Sequence, residues 1–194
     1  MMIHTRMEKL TQKIEEQLRA IDQKSIDQFV ESLINTKRIF IVGAGRSGLV
    51  AKAFGMRLMH LGFTVYVVGE VITPAINKDD LLIIVSGSGQ TLSPIVAARI
   101  AKEKGVKIVS ITSNPDSDIG KISEVVVQIK GRRPEDAKRD YEARQLLGNH
   151  EPLTPLGTLF ELSAMVFLDS IIDELMLRYK KSEDELRKLH ADLE

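Results

Sequence analysis

The sequence predicts a doubly wound α/β domain, a five-stranded parallel sheet in the order 2-1-3-4-5 with extra helices at both ends of the chain. Three observations predict it. Five short β-rich segments alternate with helical ones. Each segment is apolar almost throughout, as strands covered on both faces are. Glycine-rich turns follow the first and third of them, where a parallel strand hands over to a helix.

Helical periodicity opens the chain: Ile3, Met7, Leu10, Ile14, Leu18 and Ile21 step by threes and fours and form one apolar stripe. Ser25 with Gln28 reads as a capping box, which starts a second helix at Ile26 and turns Phe29, Val30 and Leu33 inward. This hairpin either covers the core or packs on a partner subunit. Strands follow at 38–42, 64–68, 81–86, 106–112 and 124–129, with helices near 47–60, 90–104 and 117–121. Right-handed crossovers fix the hand of each unit. The stretch 130–152 is charged and broken by Gly and Pro, so it reads as a linker with some helix and not as a sixth strand. Thr154-Pro155 has the pattern of an N-cap with Pro at the first helical position. A long apolar helix is expected after it, over about 155–179. Ser182 and Glu185 form another capping box, for a short helix to about His190. The organisation is one domain: helices over 1–35, the α/β core over 36–130, a charged linker over 131–153 and C-terminal helices over 154–194.

With 194 residues, 43% of them hydrophobic, the chain is long enough to bury a core without staples. It has no cysteine, which excludes a disulfide framework, a thiolate metal site and a cysteine nucleophile. Lys and Arg number 27, as do Asp and Glu. Zero net charge argues against a general nucleic-acid binder, but a few backbone N–H groups suffice for a small anion site. No apolar run approaches the ~18 residues of a membrane span, and the N-terminus lacks the apolar core of a signal peptide. A cytoplasmic protein without membrane contact is expected. The four histidines are scattered with no His-x-x-x-His pair, so the spacing offers no metal site.

Two loops have the chemistry to hold phosphate. Gly43-Ala44-Gly45-Arg46-Ser47-Gly48 follows the first strand and opens a helix, which fits the dinucleotide fingerprint. Glu70 lies near where such a fold puts its ribose-binding acid. Ser86-Gly87-Ser88-Gly89-Gln90-Thr91 follows the third strand and also opens a helix. Its glycines let N–H groups bend toward one point, its hydroxyls add donors, and the helix N-terminus adds partial positive charge. It lacks the Lys of a nucleoside-triphosphate loop. In a 2-1-3-4-5 sheet both loops flank the switch point, where ligands bind beyond the carboxyl ends of the strands. One phosphate cradle in one domain suits a sugar phosphate better than a dinucleotide, and little chain remains for a dehydrogenase's substrate domain.

The second loop resembles the Ser-x-Ser-Gly-x-Thr phosphate loop of the sugar isomerase (SIS) domain family and matches it at every fixed position. The resemblance extends over essentially the whole chain through GAGRSG (43–48), RLMHLGF (57–63), SGSGQT (86–91), PLTPLGTLFE (152–161) and the tail LHADLE (189–194). It is nearest to the branch that converts D-arabino-3-hexulose 6-phosphate to fructose 6-phosphate. That resemblance implies a homotetramer with active sites at subunit interfaces, no cofactor, and a place in formaldehyde fixation or its reverse. It implies phosphate binding by Ser86, Gly87, Ser88, Gly89, Gln90 and Thr91, with Ser47 of the first loop beside them. Other SIS isomerases of pentose or heptose phosphates, a non-catalytic SIS module that senses a sugar phosphate, and an NAD-binding protein are the alternatives.

Moving a carbonyl from C3 to C2 requires a base, and Glu161 is the expected one. At 100° per residue it shares a helix face with Gly157, Thr158, Ala164, Met165, Leu168 and Ile172, while Ser163, Ser170 and Glu174 define an opposite, solvated side. A carboxylate on an apolar face has a partner or a task. The Glu of the family's Gly-Thr-x-x-Glu stretch agrees. His60 ends the helix that starts at the first loop, about 20 Å from it, with Gly62 as the stop. It reaches an active site only across a subunit boundary, as an acid or hydroxyl-binding group, or else it caps its own helix. Arg46 and Arg57 are candidates to contact phosphate or partner carboxylates, with surface ion pairs the commoner fate of such residues. His150 is expected in solvated loop.

Overall fold

The computed structural model describes residues 3–131 and 157–190. Strands β1 (Arg38–Gly43), β2 (Thr64–Val67), β3 (Leu81–Val85), β4 (Lys107–Thr112) and β5 (Val125–Gln128) form one parallel sheet, β2-β1-β3-β4-β5. This is the predicted order. The helices described are α1 (Ile3–Arg19), α2 (Gln23–Ile34), α3 (Gly45–His60), α4 (Leu92–Glu103), α5 (Asp118–Ile122), α6 (Thr158–Tyr179) and α7 (Glu183–Arg187).

Alternation of side chains divides each strand between two cores. Ile39, Ile41, Leu81, Ile83, Val109 and Ile111 meet α2, α3 and α6 on one face. Phe40, Val42, Leu82, Ile84 and Ile108 meet α4 and α5 on the other. With both faces covered, the inner positions of β1, β3 and β4 have no solvent side to mark with a polar residue, hence their apolar runs, while strand ends such as Lys107 and edge strand β2 keep some exposure. Each fully buried Leu, Ile or Phe contributes roughly 1.5–3 kcal/mol of transfer free energy.

Phe29, Val30 and Leu33 are buried as expected. The start of α2 differs from expectation. Asp22, not Ser25, is the N-cap: its carboxylate accepts from Ser25 N at 2.9 Å, and the helix begins at Gln23. Asp and Ser are equally good caps, and the earlier one nucleates the longer helix. The α1 stripe is split. Leu18 and Ile21 pack on the core, while Ile3 and Met7 stay exposed. Because α1 also lies on α6, the latter is covered from two sides. That corrects the reading of Ser163 as solvated, since it is fully buried. The exposed stripe of α6 is Val166, Asp169, Ser170, Asp173 and Leu177. The Ser182–Glu185 capping box is formed in both directions. His150, Thr154-Pro155, most of the 131–153 linker and the last four residues of the tail lie outside the described residues. Among those described, no helix is long and apolar enough to cross a membrane.

Candidate active site

β1 and β3 are hydrogen-bonded neighbours, and Gly43 is in register with Val85 at their carboxyl ends. The chain leaves these ends in opposite directions, toward β2 and toward β4, so both glycine loops open on one crevice.

In the first loop, Gly43 and Gly48 are required by contact. A Cβ on Gly43 would stand 2.9 Å from Gly48 N, Ser47 O and Val85 O. Between them Gly45 takes a left-handed φ of 55°, which lets α3 start at once. Its N-cap, Ala44, has no side chain to cap with, so the first N–H groups of α3 are left to the crevice. Ser47 is half-buried in that first turn.

In the second loop, Ser86 and Ser88 are buried. Ser86 Oγ accepts from Gly89 N and Ser88 Oγ accepts from Gln90 N, both at 3.2 Å. Two of the loop N–H groups are thus already bonded to its serines, a detail the sequence did not carry. A hydroxyl that accepts still has its own proton to donate to a ligand. Gly89 has a φ of 65° and abuts Ser117, so both strain and space demand glycine. Gln90 reaches Asp118 on α5 at 3.4 Å. Thr91 is the N-cap of α4 but makes no side-chain capping bond. Its hydroxyl therefore does not cap the helix.

Glu161 lies in the first turn of α6 and is only 9% exposed. Its surroundings are not purely apolar: Arg46 Nε, from the first loop, donates to Glu161 Oε2. Expectation had favoured an ordinary surface pair for Arg46. Its side chain is 56% exposed, but its partner is this buried carboxylate. Sequence reasoning ranked a surface ion pair above a site role for Arg46 and did not identify Glu161 as its partner; its position inside the glycine loop was the available signal. The adjacent Phe160 sets its ring against Gly87 of the second loop. Glu161 is therefore tied to both loops. Glu70 is ion-paired with Lys52 at 2.7 Å, and that hydrogen bond holds its carboxyl below the usual range.

His60 is not brought to the loops of its own chain. It is the last residue of α3, whose 16 residues span roughly 24 Å. Gly62 (φ 95°) and Phe63 close the helix by donating to Met59 O at 2.8 Å and Leu58 O at 3.1 Å, so the predicted stop is observed. His60 is buried and stacks on His190, ring centroids 5.1 Å apart. The pair borders a cavity of about 530 Å³ with Arg57, Asp169, Asp173 and Arg187.

A family model described as the SIS domain matches residues 32–139. A relative from Aeropyrum pernix with no assigned function is 48% identical over 178 residues, 90% of this chain and 84% of its own. The 3-hexulose-6-phosphate isomerase of Bacillus subtilis is 38% identical over 174 residues, 90% of this chain and 89% of that one. A crystal structure of a Methanococcus jannaschii protein, from which a 3-hexulose-6-phosphate isomerase function was inferred, superposes with a TM-score of 0.79. It is 33% identical and covers 95% of this chain and 97% of that one. By this family match and these whole-length likenesses, the chain belongs to the SIS domain family, in the group that holds the 3-hexulose-6-phosphate isomerases.

Proposed function

We propose that the chain is a 6-phospho-3-hexuloisomerase, converting D-arabino-3-hexulose 6-phosphate to D-fructose 6-phosphate. The observation that carries this reading is the buried Glu161 carboxylate, bound to Arg46 of one glycine loop and one residue from the ring on Gly87 of the other. The substrate phosphate sits at the N-terminus of α4, held by Ser86, Ser88, Thr91 and the loop N–H groups, with Ser47 alongside. Glu161 removes the C2 proton as the C3 carbonyl oxygen gains one, which gives the 2,3-enediol. The O2 proton then leaves as C3 is protonated, and the carbonyl stands at C2. One carboxylate facing the reacting edge serves both carbon transfers. Arg46 positions it and offers charge to the enediolate. Electrons and atoms balance within the substrate, so the scheme needs no cofactor. The 3-keto sugar cannot close a five-membered ring through O6, which carries the phosphate, so ring opening makes little demand on the site.

His60 acts across a subunit boundary in this reading, within a homotetramer. Exposed apolar residues on α3 (Leu49, Met56, Met59) and on α4 (Leu92, Val96, Ile100) support subunit packing on both sides of the sheet. The class of pathway is formaldehyde fixation through the ribulose monophosphate route, or its reverse.

The test is an assay for fructose 6-phosphate formed from the 3-hexulose phosphate, run beside Glu161→Gln. Wild-type protein should turn over. The near-isosteric amide should bind substrate and melt normally but lose at least ~10²-fold in kcat. Binding without turnover by wild type would point instead to a sensing module. Near-wild-type kcat in the variant would remove Glu161 from the mechanism.

A further inference from the structure

Two glycines beside the candidate site do not have a left-handed φ: Gly87, inside the phosphate loop, and Gly131, just beyond β5. Other residues adopt such backbone angles, so conformational freedom does not explain glycine at either position. Contact with one residue does. A Cβ on Gly87 would stand 3.0 Å from Cδ1 and 3.3 Å from Cε1 and Cγ of Phe160. A Cβ on Gly131 would stand 2.9 Å from Cα and 3.1 Å from N of the same Phe160. Phe160 is 2% exposed, with its ring on the bare backbone of one glycine and its main chain on the other.

Gly87 is held from its other side as well. Its carbonyl accepts from Ser113 N at 3.1 Å, from Ser113 Oγ, and from Thr112 Oγ1 at 3.4 Å. The ends of β4 and β5 are joined in turn, with Ile129 N donating to Thr112 O at 3.0 Å and Gln128 Nε2 to Ser113 O at 3.4 Å. A closed path results: phosphate loop, end of β4, end of β5, Gly131, first turn of α6, and back through the Phe160 ring to the phosphate loop.

We propose that Phe160 is a positioning residue that sets the distance between the phosphate loop and the Glu161 carboxylate. This rests on the reading of Glu161 as the base. A sugar phosphate anchored by its phosphate presents C2 and C3 at a fixed number of bonds from the loop. The base must therefore be gauged from the same loop, and a misplacement of ~1 Å can cost ~10²-fold in rate. Phe160 precedes Glu161 in the chain, so a shift of its ring or backbone is passed to the carboxylate with no flexible segment between. A rigid buried ring suits that task better than a long aliphatic chain, which has more rotamers to sample.

Phe160→Leu removes the flat contact on Gly87 while staying apolar. Its kcat per folded molecule should fall about tenfold or more, with KM and the calorimetric affinity for inorganic phosphate within about twofold of wild type. Gly131→Ala pushes on the same residue from the far side without touching the phosphate loop, and should give the same split. Thermal melts of both variants supply the folded fraction. The inference is overturned if both keep wild-type kcat while Glu161→Gln is inactive, because Phe160 then only fills the core. A rise in KM at constant kcat also overturns it, since the ring would then serve the phosphate loop alone. Normal turnover by Glu161→Gln would instead remove the base reading on which this role depends.

Discussion

Thr91 occupies a capping position without capping, and Ser88 accepts from its own loop, so each hydroxyl keeps a proton that neither of these roles uses. A phosphate is present in substrate and transition state alike, and groups that bind both equally act on KM before kcat. Ser88→Ala and Thr91→Val should therefore raise KM several-fold while kcat changes less, read from initial rates over a range of substrate concentrations. Unchanged KM in both would remove them from the cradle. The place of the second glycine loop, between β3 and α4 at the switch point, was legible because its glycines and hydroxyls directly follow an apolar strand and open a helix. The partner of Arg46 was not, because an arginine's partner depends on what the fold brings to it: Glu161 is 115 positions away in sequence. The seat of Phe160 was hidden for the same reason, since two glycines with ordinary φ reveal nothing until the ring between them is seen.

Among the elements, the β2–β3 connection is secured by a strap at the far end of the sheet. Arg38, at the start of β1, meets Asp80 with two hydrogen bonds, Nε to Oδ1 at 2.9 Å and Nη2 to Oδ2 at 2.6 Å. Arg38 Nη2 also donates to Ala75 O at 3.1 Å, and Asp80 accepts from Asn77 N at 2.7 Å. Burial alone would push the Asp80 carboxyl up. The Arg38 hydrogen bonds, the Asn77 N–H and the nearby positive charges outweigh it and hold the group below its usual range. Folded Asp80 thus binds its proton less tightly than the unfolded residue does. Its contribution is whole above the unfolded value of about 4, and is lost as pH falls through the lower folded value. Asp80→Asn should cost roughly 1–3 kcal/mol at pH 7, because Arg38 and Asn77 lose their anionic partner. It should also flatten the fall in melting temperature below pH 4. Melts at pH 7 and from pH 5 to 2 check both, and an unchanged melt at pH 7 would show that the strap adds nothing. The strands flanking this strap were readable because parallel strands buried on both faces leave a continuous apolar signal. The face of α6 was misread at Ser163 because a helix packed against both α3 and α1 has a narrower solvent side than one lying on a surface.

The whole molecule puts its two candidate chemistries at opposite ends of α3, with Arg46 and the glycine loops at one end and His60 at the other. No bending of a 16-residue helix brings these together within one chain, so any joint action needs a second copy. The exposed Leu49, Met56 and Met59 lie on the same helix, which makes α3 a natural place for subunits to meet. His60 is already stacked on His190 and capping-competent at a helix C-terminus, so a purely structural role competes with catalysis in trans. Mixed oligomers separate the two. Neither His60→Ala nor Glu161→Gln homo-oligomers should turn over. A site that takes Glu161 from one subunit and His60 from another would be intact in a fraction of mixed assemblies. Unfolding and refolding the two variants together at equal amounts should then restore up to about a quarter of wild-type activity, if subunits assort at random and each site draws on two chains. Native mass spectrometry establishes that mixing occurred. Restored activity is unreachable if His60 only closes its own helix, because no mixture repairs a defect confined to one fold. Verified hetero-oligomers with no turnover would leave His60 as half of a stacked pair that locks α3 to the C-terminal segment.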